Sequence, residues 1–414
     1  MNSHTPNLQC RFCRQPLTET VVDLGMSPLS NSYIAASQLG AMERFYPLHA
    51  YVCGACFLVQ LAEFESPEKI FSDYAYFSSY SDSWLKHADQ YAQAMISRWK
   101  LGKDALVIEV ASNDGYLLQY FKQRGVPVLG VEPAANVAKV AMEKGVPTEV
   151  AFFGSAKGAQ LAAAGKAADL IAANNVLAHV PDINDLVKGF KQALKPSGCV
   201  TVEFPHLQQM MQHNQFDTIY HEHFSYLSLG IVDKIYAAHG LRVFDVEEIS
   251  THGGSLRVYG CHAEDRTKPT GPLVAKLLDR ESQGGLLELR TYRDFSEQVL
   301  QTKCDLIEFF VDARRAGKRI AGYGAPAKGN TLLNYCGIGP GLLPFTVDRS
   351  PHKQGQFLPG THIPIRPPEA IMGFKPDYVL ILPWNLRDEI VQQMVAVRQW
   401  DGKFVVPIPK LEIF

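Results

Sequence analysis

The sequence predicts an α/β protein with a small N-terminal metal-binding domain followed by two Rossmann-like domains, one central and one C-terminal. Two Cys-x-x-Cys pairs lie near the N-terminus. Short apolar strands alternate with helical segments from Leu106, and a second series of this kind begins at Lys318. Such alternation is typical of parallel sheets covered by helices on both faces. We place the domains at residues 1–66, 67–265 and 266–414.

The composition is that of an ordinary globular protein. Of the 414 residues, 46% are hydrophobic and 20% are charged, and the formal net charge is -2. This length predicts two or three domains. No basic excess indicates nucleic-acid binding, and no apolar run is long enough to span a bilayer. The N-terminus does not resemble a signal peptide, so we expect a cytoplasmic protein, and we expect it to be a monomer.

The paired cysteines predict a structural zinc site. Each Cys-x-x-Cys pair can form a tight turn that presents two thiolates, and two turns complete the closed tetrahedron that zinc adopts in structural sites. In a reducing compartment, such pairs indicate metal binding rather than a disulfide framework. The alternatives are a redox pair, a catalytic metal, or thiols without an ion. The predicted ligands are Cys10, Cys13, Cys53 and Cys56.

A run rich in tyrosine and serine, residues 71–84, precedes a helix predicted over residues 84–99. Tyrosine and serine side chains suit the lining of a sugar or cofactor pocket. The alternative is a loop whose last serine caps the helix. On its own, this run does not decide between the two.

The central series predicts a doubly wound sheet. Predicted strands cover residues 106–111, 127–131, 168–173 and 200–204, and predicted helices start near Tyr116 and Ala134 and cover residues 182–194 and 228–239. A predicted hairpin, 241–246 with 255–260, forms the edge of the sheet. Ligands of such sheets bind at the carboxyl ends of the strands. The turn His252-Gly253-Gly254-Ser255 either faces this site or is a simple turn.

Residues after the first two strands predict S-adenosylmethionine as the ligand of the central domain. A dinucleotide site would need G-x-G-x-x-G after the first strand, and the sequence lacks it there. Glu109 lies in the first strand, and Glu132 ends the second, where a carboxylate can bind both hydroxyls of a ribose. The alternative is a Rossmann-like domain with another nucleotide. The predicted cofactor-binding residues are Glu109, Ala111, Asn113, Gly115, Glu132, Pro133, Asn174 and Asn175.

A glycine turn near the start of the C-terminal series predicts a phosphate site. After a mostly helical connector over residues 271–316, Gly322-x-Gly324-x-x-Ala327 with Asp348 is a loose dinucleotide fingerprint. A glycine turn at a helix N-terminus can receive a phosphate. We favour the diphosphate of a nucleotide-linked substrate over an NAD site or no ligand. The predicted substrate-binding residues are Gly324, Lys328, Asn330 and Arg349.

The segment Tyr220-His221-Glu222-His223 follows a predicted buried strand and its connecting loop. Two histidines that flank a carboxylate can supply a base near neutral pH and a partner that orients it. Loops on a rigid sheet often carry such groups. Proton transfer is the favoured interpretation, and a metal site or a solvated polar turn are the alternatives.

Together, these segments resemble the deoxysugar C-methyltransferases, which methylate carbon 3, or in some members carbon 5, of nucleotide-diphosphate 4-keto-6-deoxyhexoses. The resemblance covers essentially the whole chain. Besides the cysteine pairs, it rests on Tyr74-x-Tyr76-x-Ser78-Ser79, Glu109-x-x-Ser112-Asn113-Asp114-Gly115, Asn174-Asn175-x-x-x-His179, Tyr220-His221-Glu222-His223 and Gly322-x-Gly324-Ala325-x-Ala327-Lys328-Gly329. It implies a class I methyltransferase fold for the central domain.

The resemblance also implies the reaction. A base removes a proton beside the ketone, and the methyl group of S-adenosylmethionine is then transferred to carbon. His223 is implied as the base, Tyr220 and Glu222 share its loop, His179 lies near the reacting carbon, and Tyr76 reaches in from the tyrosine-rich run.

The expected substrate is a thymidine-diphosphate 4-keto-6-deoxyhexose, methylated at carbon 3. Methylation at carbon 5 and a sugar-nucleotide-binding protein without turnover are the alternatives. Methylation of oxygen or nitrogen, and an NAD-dependent oxidoreductase, are weaker ones. Because the reaction needs no metal, zinc is expected to be structural only.

Overall fold

The computed structural model describes residues 8–66, 78–80 and 82–414 of the chain, and it contains three sheets. The strands are β1 (Glu19–Ser27), β2 (Tyr46–Val52), β3 (Val59–Leu61), β4 (Val107–Val110), β5 (Val128–Glu132), β6 (Thr148–Val150), β7 (Ala168–Asn174), β8 (Leu194–Pro205), β9 (Ser225–Tyr226), β10 (Leu241–Ile249), β11 (Ser255–His262), β12 (Ile320–Tyr323), β13 (Thr346–Val347), β14 (Ile365–Arg366), β15 (Tyr378–Ile381), β16 (Lys403–Val406) and β17 (Glu412–Ile413).

The helices alternate with these strands in the central and C-terminal parts of the chain. They are α1 (Asp82–Trp99), α2 (Leu118–Gln123), α3 (Ala135–Glu143), α4 (Ser155–Ala163), α5 (Ile183–Ala193), α6 (Leu207–Gln212), α7 (Leu229–Ala238), α8 (Pro272–Gln283), α9 (Leu289–Arg315), α10 (Ala327–Cys336), α11 (Ala370–Phe374) and α12 (Arg387–Gln393). Among the helices of the described residues, none combines the length and the apolar character needed to cross a membrane.

The N-terminal sheet has the order β1-β2-β3-β9 and is antiparallel. In β2, buried Leu48, Ala50 and Val52 alternate with more exposed residues, the pattern of a strand covered on one face. Its last strand, β9, comes from a later part of the chain, directly after the Tyr220–His223 segment. This sheet therefore joins the N-terminal domain to the loop that is predicted to carry the catalytic base.

The four cysteines meet beside this sheet in an arrangement that fits zinc. Their Sγ atoms lie within 4.8 Å of one another, with 3.6 Å between Cys10 and Cys56 and 3.5 Å between Cys13 and Cys53. A tetrahedral ion at about 2.3 Å from each sulfur requires about 3.8 Å between sulfurs. The Gln60 side chain donates to Cys10 Sγ at 3.2 Å, and Gln60 pairs with Ser225 of β9. The metal-binding turns and β9 are thus held by one strand.

The central sheet has the order β10-β11-β8-β7-β4-β5-β6. From β8 to β6 the strands are parallel, and the β10–β11 hairpin adds an antiparallel edge. The chain runs outward from β4 to β6 and then continues at β7, on the other side of β4. A ligand crevice lies at such a reversal, above the carboxyl ends of the strands. The class I methyltransferase fold predicted for this domain is confirmed.

The C-terminal sheet has the order β14-β13-β12-β15-β16-β17, parallel except for β17. The predicted connector consists of two helices with different neighbours. Helix α8 packs on α7 and β10 of the central domain, whereas α9 packs on β1 and α10. The long apolar stripe of α9, which includes Phe295, Val299 and Phe310, therefore ties the N-terminal sheet to the C-terminal domain.

Most predicted elements of the two Rossmann-like domains are present, with two shifted starts. The strand predicted over residues 200–204 begins at Leu194. The helix predicted near Tyr116 begins at Leu118, because the preceding turn contains the left-handed residues Asn113 and Gly115. The strands of the N-terminal sheet, β6, β14 and β17 were not predicted. The domain boundaries stay a prediction, since β9 belongs to the central segment of the sequence and to the N-terminal sheet at once.

The zinc site predicts a specific stability phenotype. Cys53→Ser should lose the bound zinc and lower the midpoint of thermal unfolding by more than about 5 °C, because losing a metal site is among the costliest single changes. Cys304→Ser, at an exposed cysteine outside the cluster, is the matched control and should leave both unchanged. Metal content and calorimetry measure the effect. A Cys53→Ser protein with full zinc content and a native midpoint would contradict the assignment.

Candidate active site

The candidate site lies above the carboxyl edge of the central sheet. The loops that follow β4, β5, β7 and β8 end there, as does the turn between β10 and β11. Helix α10 of the C-terminal domain and residues 30–34 of the N-terminal domain border the same region. All three domains therefore contribute to one cleft.

His223 is held in one tautomer by its own loop. Its Nδ1 lies 2.8 Å from the main-chain oxygen of Thr218. A carbonyl oxygen only accepts hydrogen bonds, so Nδ1 carries the proton and Nε2 keeps the lone pair. Burial lowers the pKa of His223 well below its ordinary value, and the neighbouring His179 lowers it further. His223 is therefore a neutral imidazole with a defined basic nitrogen.

Two further predicted residues surround this imidazole. The ring of Tyr220 lies 4.0 Å from that of His223 between centroids, and the ring of His179 lies at 4.6 Å. The His179 imidazole donates to the main-chain oxygen of Glu222, and burial lowers the pKa of His179 to about 4. Ser225 N–H also donates to Ala178 O at 3.1 Å, which joins the two loops. The structure thus brings Tyr220, His179 and His223 together.

The other two residues of the Tyr-His-Glu-His segment face the N-terminal domain. The Glu222 carboxylate accepts from Asn31 Nδ2 at 2.7 Å, and burial raises its pKa. His221 Nε2 donates to Pro47 O at 3.2 Å, and its ring contacts Tyr46 edge-on. The predicted role of Glu222 stays a prediction, and its carboxylate supports the loop from the side of Asn31 rather than contacting His223.

The turn after β4 has the strained backbone of a binding site. Ala111 and Asn113 have φ of 54° and 49°, and Asn175 after β7 has 55°. These left-handed conformations are unfavourable for residues other than glycine and persist where the surroundings enforce them. At Gly115 a side chain could not be accommodated, since φ is +76° and an added Cβ would lie 3.1 Å from Val146.

Buried acceptors at the ends of these strands fit a methyl donor with a ribose and a cationic amino group. The Glu132 carboxylate accepts from Asn113 N–H and Ala134 N–H, each at 2.8 Å, which fixes it next to Pro133 at the end of β5. Glu109 Oε2 and Asn174 Oδ1 are buried without a hydrogen-bond partner in the described part of the chain. Burial raises the pKa of Glu109 well above its ordinary value.

The C-terminal domain contributes a lysine beside a tryptophan. Lys328 Nζ lies 4.3 Å from the centre of the Trp384 ring and 2.7 Å from Asn385 Oδ1. Trp384 Nε1 donates to Asp217 Oδ2 at 2.8 Å. Burial lowers the pKa of Lys328, whereas the charge of Asp217 raises it, and burial raises the pKa of Asp217 to about 6. Asp217 directly precedes Thr218, so this lysine is coupled to the loop of His223.

The other predicted substrate-binding residues lie in different surroundings. Gly324 needs its glycine, because φ is +90° and an added Cβ would lie 2.4 Å from Pro383. The adjacent Ala325 N–H donates to Asp348 Oδ2 at 2.8 Å. Asn330 Nδ2 donates to Ser30 O in the N-terminal domain at 2.6 Å, and exposed Arg349 pairs with Glu389 at 3.5 Å. Of this group, Lys328 is the residue whose charge lowers the pKa of His223.

Several residues of the site were not found from the sequence. Asn31, Asp217 and Trp384 lack a recognisable spacing, and only the position of Asp217 just before the Tyr-His-Glu-His segment offers a hint. The predicted Tyr74 and Tyr76 lie outside the described residues, and the role of Tyr76 stays a prediction.

Comparisons with known proteins cover each part of the chain. Residues 10–71 match a family model described as a zinc binding domain, residues 84–246 one described as a methyltransferase domain, and residues 250–409 one described as a C-methyltransferase C-terminal domain. The C-methyltransferase NovU of Streptomyces niveus is 38% identical over 402 residues, which span 97% of this chain and 96% of NovU.

Two solved structures share a smaller likeness. Magnesium protoporphyrin IX methyltransferase (ChlM) from Synechocystis PCC 6803 is 14% identical, with a TM-score of 0.34 over 43% of this chain and 82% of that chain. The CcbJ methyltransferase from Streptomyces caelestis is 13% identical, with a TM-score of 0.35 over 42% and 89%. Similarity at this level has no bearing on function.

Proposed function

Because the chain belongs to the C-methyltransferase family that includes NovU, we propose that it methylates carbon 3 of a nucleotide-diphosphate 4-keto-6-deoxyhexose. It is an S-adenosylmethionine-dependent C-methyltransferase with a structural zinc site. The proposal includes thymidine diphosphate as the nucleotide and a cytoplasmic, monomeric enzyme. The proposed methylation beside a ketone rests on one observation. His223 is buried, is fixed in one tautomer, and lies beside His179 and Tyr220.

His223 removes the proton of the carbon beside the ketone. A sugar carbon becomes nucleophilic only when it loses a proton, and the adjacent carbonyl makes this feasible by delocalising the charge onto its oxygen. A positioned base contributes about 100- to 10,000-fold to such a step. Nε2 of His223 can accept the proton because Nδ1–H is already donated to Thr218 O. Burial keeps the imidazole neutral before the reaction.

Tyr220 is the proposed donor to the developing enolate oxygen. Its ring lies against His223, so a ketone whose neighbouring carbon faces Nε2 is within its reach. A tyrosine hydroxyl can donate one hydrogen bond without adding a charge to the site. A well-placed donor of this kind is worth about 3–4 kcal/mol in the transition state. His179, the other residue expected near the reacting carbon, already donates its one N–H to Glu222 O, so its proposed role is to hold the loop of His223 in place.

Lys328 is the proposed partner of the substrate diphosphate. It is a cation held in the same cleft by Trp384 and Asn385, and its charge affects the pKa of His223. Burial disfavours the charged form of Lys328, and an anion bound beside it would favour that form again. The sequence also predicts that the glycine turn binds an anion. One N–H of this turn, that of Ala325, already donates to the carboxylate of Asp348.

S-adenosylmethionine, when bound, supplies a methyl group on a positively charged sulfur. The residues proposed to hold it are Glu109, Ala111, Asn113, Gly115, Glu132, Pro133, Asn174 and Asn175. They lie at the carboxyl ends of β4, β5 and β7, next to the loop that carries His179. Methyl transfer requires that the sulfur, the methyl carbon and the nucleophilic carbon lie in line, which these loops can enforce by fixing the donor.

Methylation at carbon 5 is the second candidate. Carbon 5 is also adjacent to the ketone at carbon 4, so the same base and the same enolate donor would serve it. The two outcomes differ only in how the sugar is turned relative to His223. Locating the new methyl group in the product by NMR separates them.

Mass spectrometry tests the proposal. Native protein with S-adenosylmethionine and thymidine-diphosphate 4-keto-6-deoxyglucose should replace one sugar hydrogen by a methyl group. His223→Ala should be slower by about 100-fold or more, because it lacks the base. His213→Ala, at an exposed histidine on the end of α6, is the matched control and should retain native activity.

No methyl gain with any 4-keto sugar nucleotide would reject the substrate class. A methyl gain that His223→Ala does not diminish would keep the class and remove His223 as the base.

The pH profile of kcat/KM should have its acid limb below pH 6.5. Only neutral imidazole accepts a proton, and burial disfavours the imidazolium form of His223, so activity persists to a lower pH than an exposed histidine allows. The rate constant is measured between pH 5 and 8 with excess S-adenosylmethionine. A half-maximal point at or above pH 6.5 would show that His223 is not shifted in this direction.

A further inference from the structure

The turn between β10 and β11 holds three consecutive residues with positive φ. His252 has φ of 55°, Gly253 of 88° and Gly254 of 116°. Glycine adopts such angles readily, but a histidine does so at an energetic cost. We call residues 251–254 the His252 turn. Strained residues other than glycine persist where the surroundings enforce them, and they often occur at functional sites.

Several hydrogen bonds enforce this conformation. Gln215 Nε2 donates to Gly253 O at 2.8 Å, and Gly254 N–H donates to Thr251 O at 3.0 Å. His206 N–H donates to Gly254 O at 3.0 Å, which attaches the turn to the end of β8. At Gly253 an added Cβ would lie 2.7 Å from the ring of Trp384, so the turn also meets the C-terminal domain.

The imidazole of His252 extends from this turn into the cleft. Its ring lies 5.4 Å from that of Trp84 on α1, between centroids. Part of the side chain is exposed, and desolvation by the surrounding protein together with the charge of Lys328 lowers its pKa. Within the described residues, neither ring nitrogen has a hydrogen-bond partner. A strained turn thus presents to the cleft a donor and an acceptor that no described residue satisfies.

We propose that His252 binds the 2-hydroxyl of the substrate sugar and so sets specificity for sugars that carry it. This inference rests on the proposed function, which assigns Lys328 to the diphosphate on carbon 1 and the loop of His223 to the ketone at carbon 4. The His252 turn meets both parts of the site. Gly253 packs against Trp384, whose ring lies under Lys328. Gln215, just before the loop of His223, donates to Gly253 O. The turn therefore faces the edge of the sugar between these carbons. Because carbon 3 faces the base and the methyl donor, the hydroxyl left on that edge is the one on carbon 2.

The chemistry of the imidazole favours a hydroxyl over a phosphate. A neutral imidazole has one donor and one acceptor, and a hydroxyl offers the complementary acceptor and donor. A phosphate oxygen only accepts and is bound best by cations. Lys328 already supplies such a cation in the cleft, and its charge disfavours a second one on His252.

The experiment measures binding, so it does not depend on turnover. Calorimetry compares thymidine-diphosphate glucose with its 2-deoxy analogue on native protein, His252→Gly and His252→Asn. Native protein should bind the 2-hydroxyl sugar about 10-fold more tightly, the effect of one good hydrogen bond. His252→Gly should bind both sugars equally, and His252→Asn, which tolerates a left-handed conformation and keeps an amide, should retain part of the preference.

Thermal unfolding separates this role from a structural one. Because glycine removes the strain at this position, His252→Gly should unfold at the native midpoint or above it, even though it has lost the preference. The inference would be overturned if native protein bound neither sugar, or bound both with equal affinity. It would also be overturned if His252→Gly still bound the 2-hydroxyl sugar more tightly than the 2-deoxy analogue. If the binding preference is found but 4-keto sugars gain no methyl group, the proposed function fails and the hydroxyl site stands.

Discussion

The hydrogen bond from His223 Nδ1–H to the main-chain oxygen of Thr218 is the constraint on which the site depends. It decides which nitrogen of the imidazole is basic, and it requires the loop from Thr218 to His223 to keep one conformation. That loop is held from all three domains. Thr331 Oγ1 of α10 donates to Ile219 O at 3.0 Å, and Asn31 Nδ2 donates to Glu222. His179, from the central domain, donates to the main-chain oxygen of Glu222.

This arrangement explains why a zinc domain accompanies a reaction that needs no metal. The cysteine turns hold β3, and β3 pairs with β9, the strand that leaves the His223 loop. The same domain supplies Ser30, Asn31 and Tyr33, which bond to Asn330, Glu222 and Ala325 O. The metal therefore stabilises a small domain, and that domain fixes the position of the loop that carries His223.

Local sequence patterns predict the features of this protein that depend on residues close together in the chain. The cysteine spacing predicted the metal cluster, and alternating apolar segments predicted the central sheet and its edge hairpin. Contacts between distant segments could not be read in this way. Asp217 lies beside Lys328 and Trp384 only because α10 docks on the loop after β8. The sequence does not decide whether the turn at His252 faces the site, because its three successive positive φ angles are visible only in the structure.

If His223 deprotonates the sugar before methyl transfer, the proton should exchange with solvent, so deuterium incorporation is the decisive measurement. The enzyme is incubated in D₂O with the 4-keto sugar nucleotide and S-adenosylhomocysteine, so that no methyl group can be transferred. Native protein should incorporate deuterium at the carbon beside the ketone, and His223→Ala should do so at least about 100-fold more slowly. Native protein that methylates the sugar but exchanges no deuterium, or a His223→Ala protein that exchanges at the native rate, would contradict deprotonation by His223.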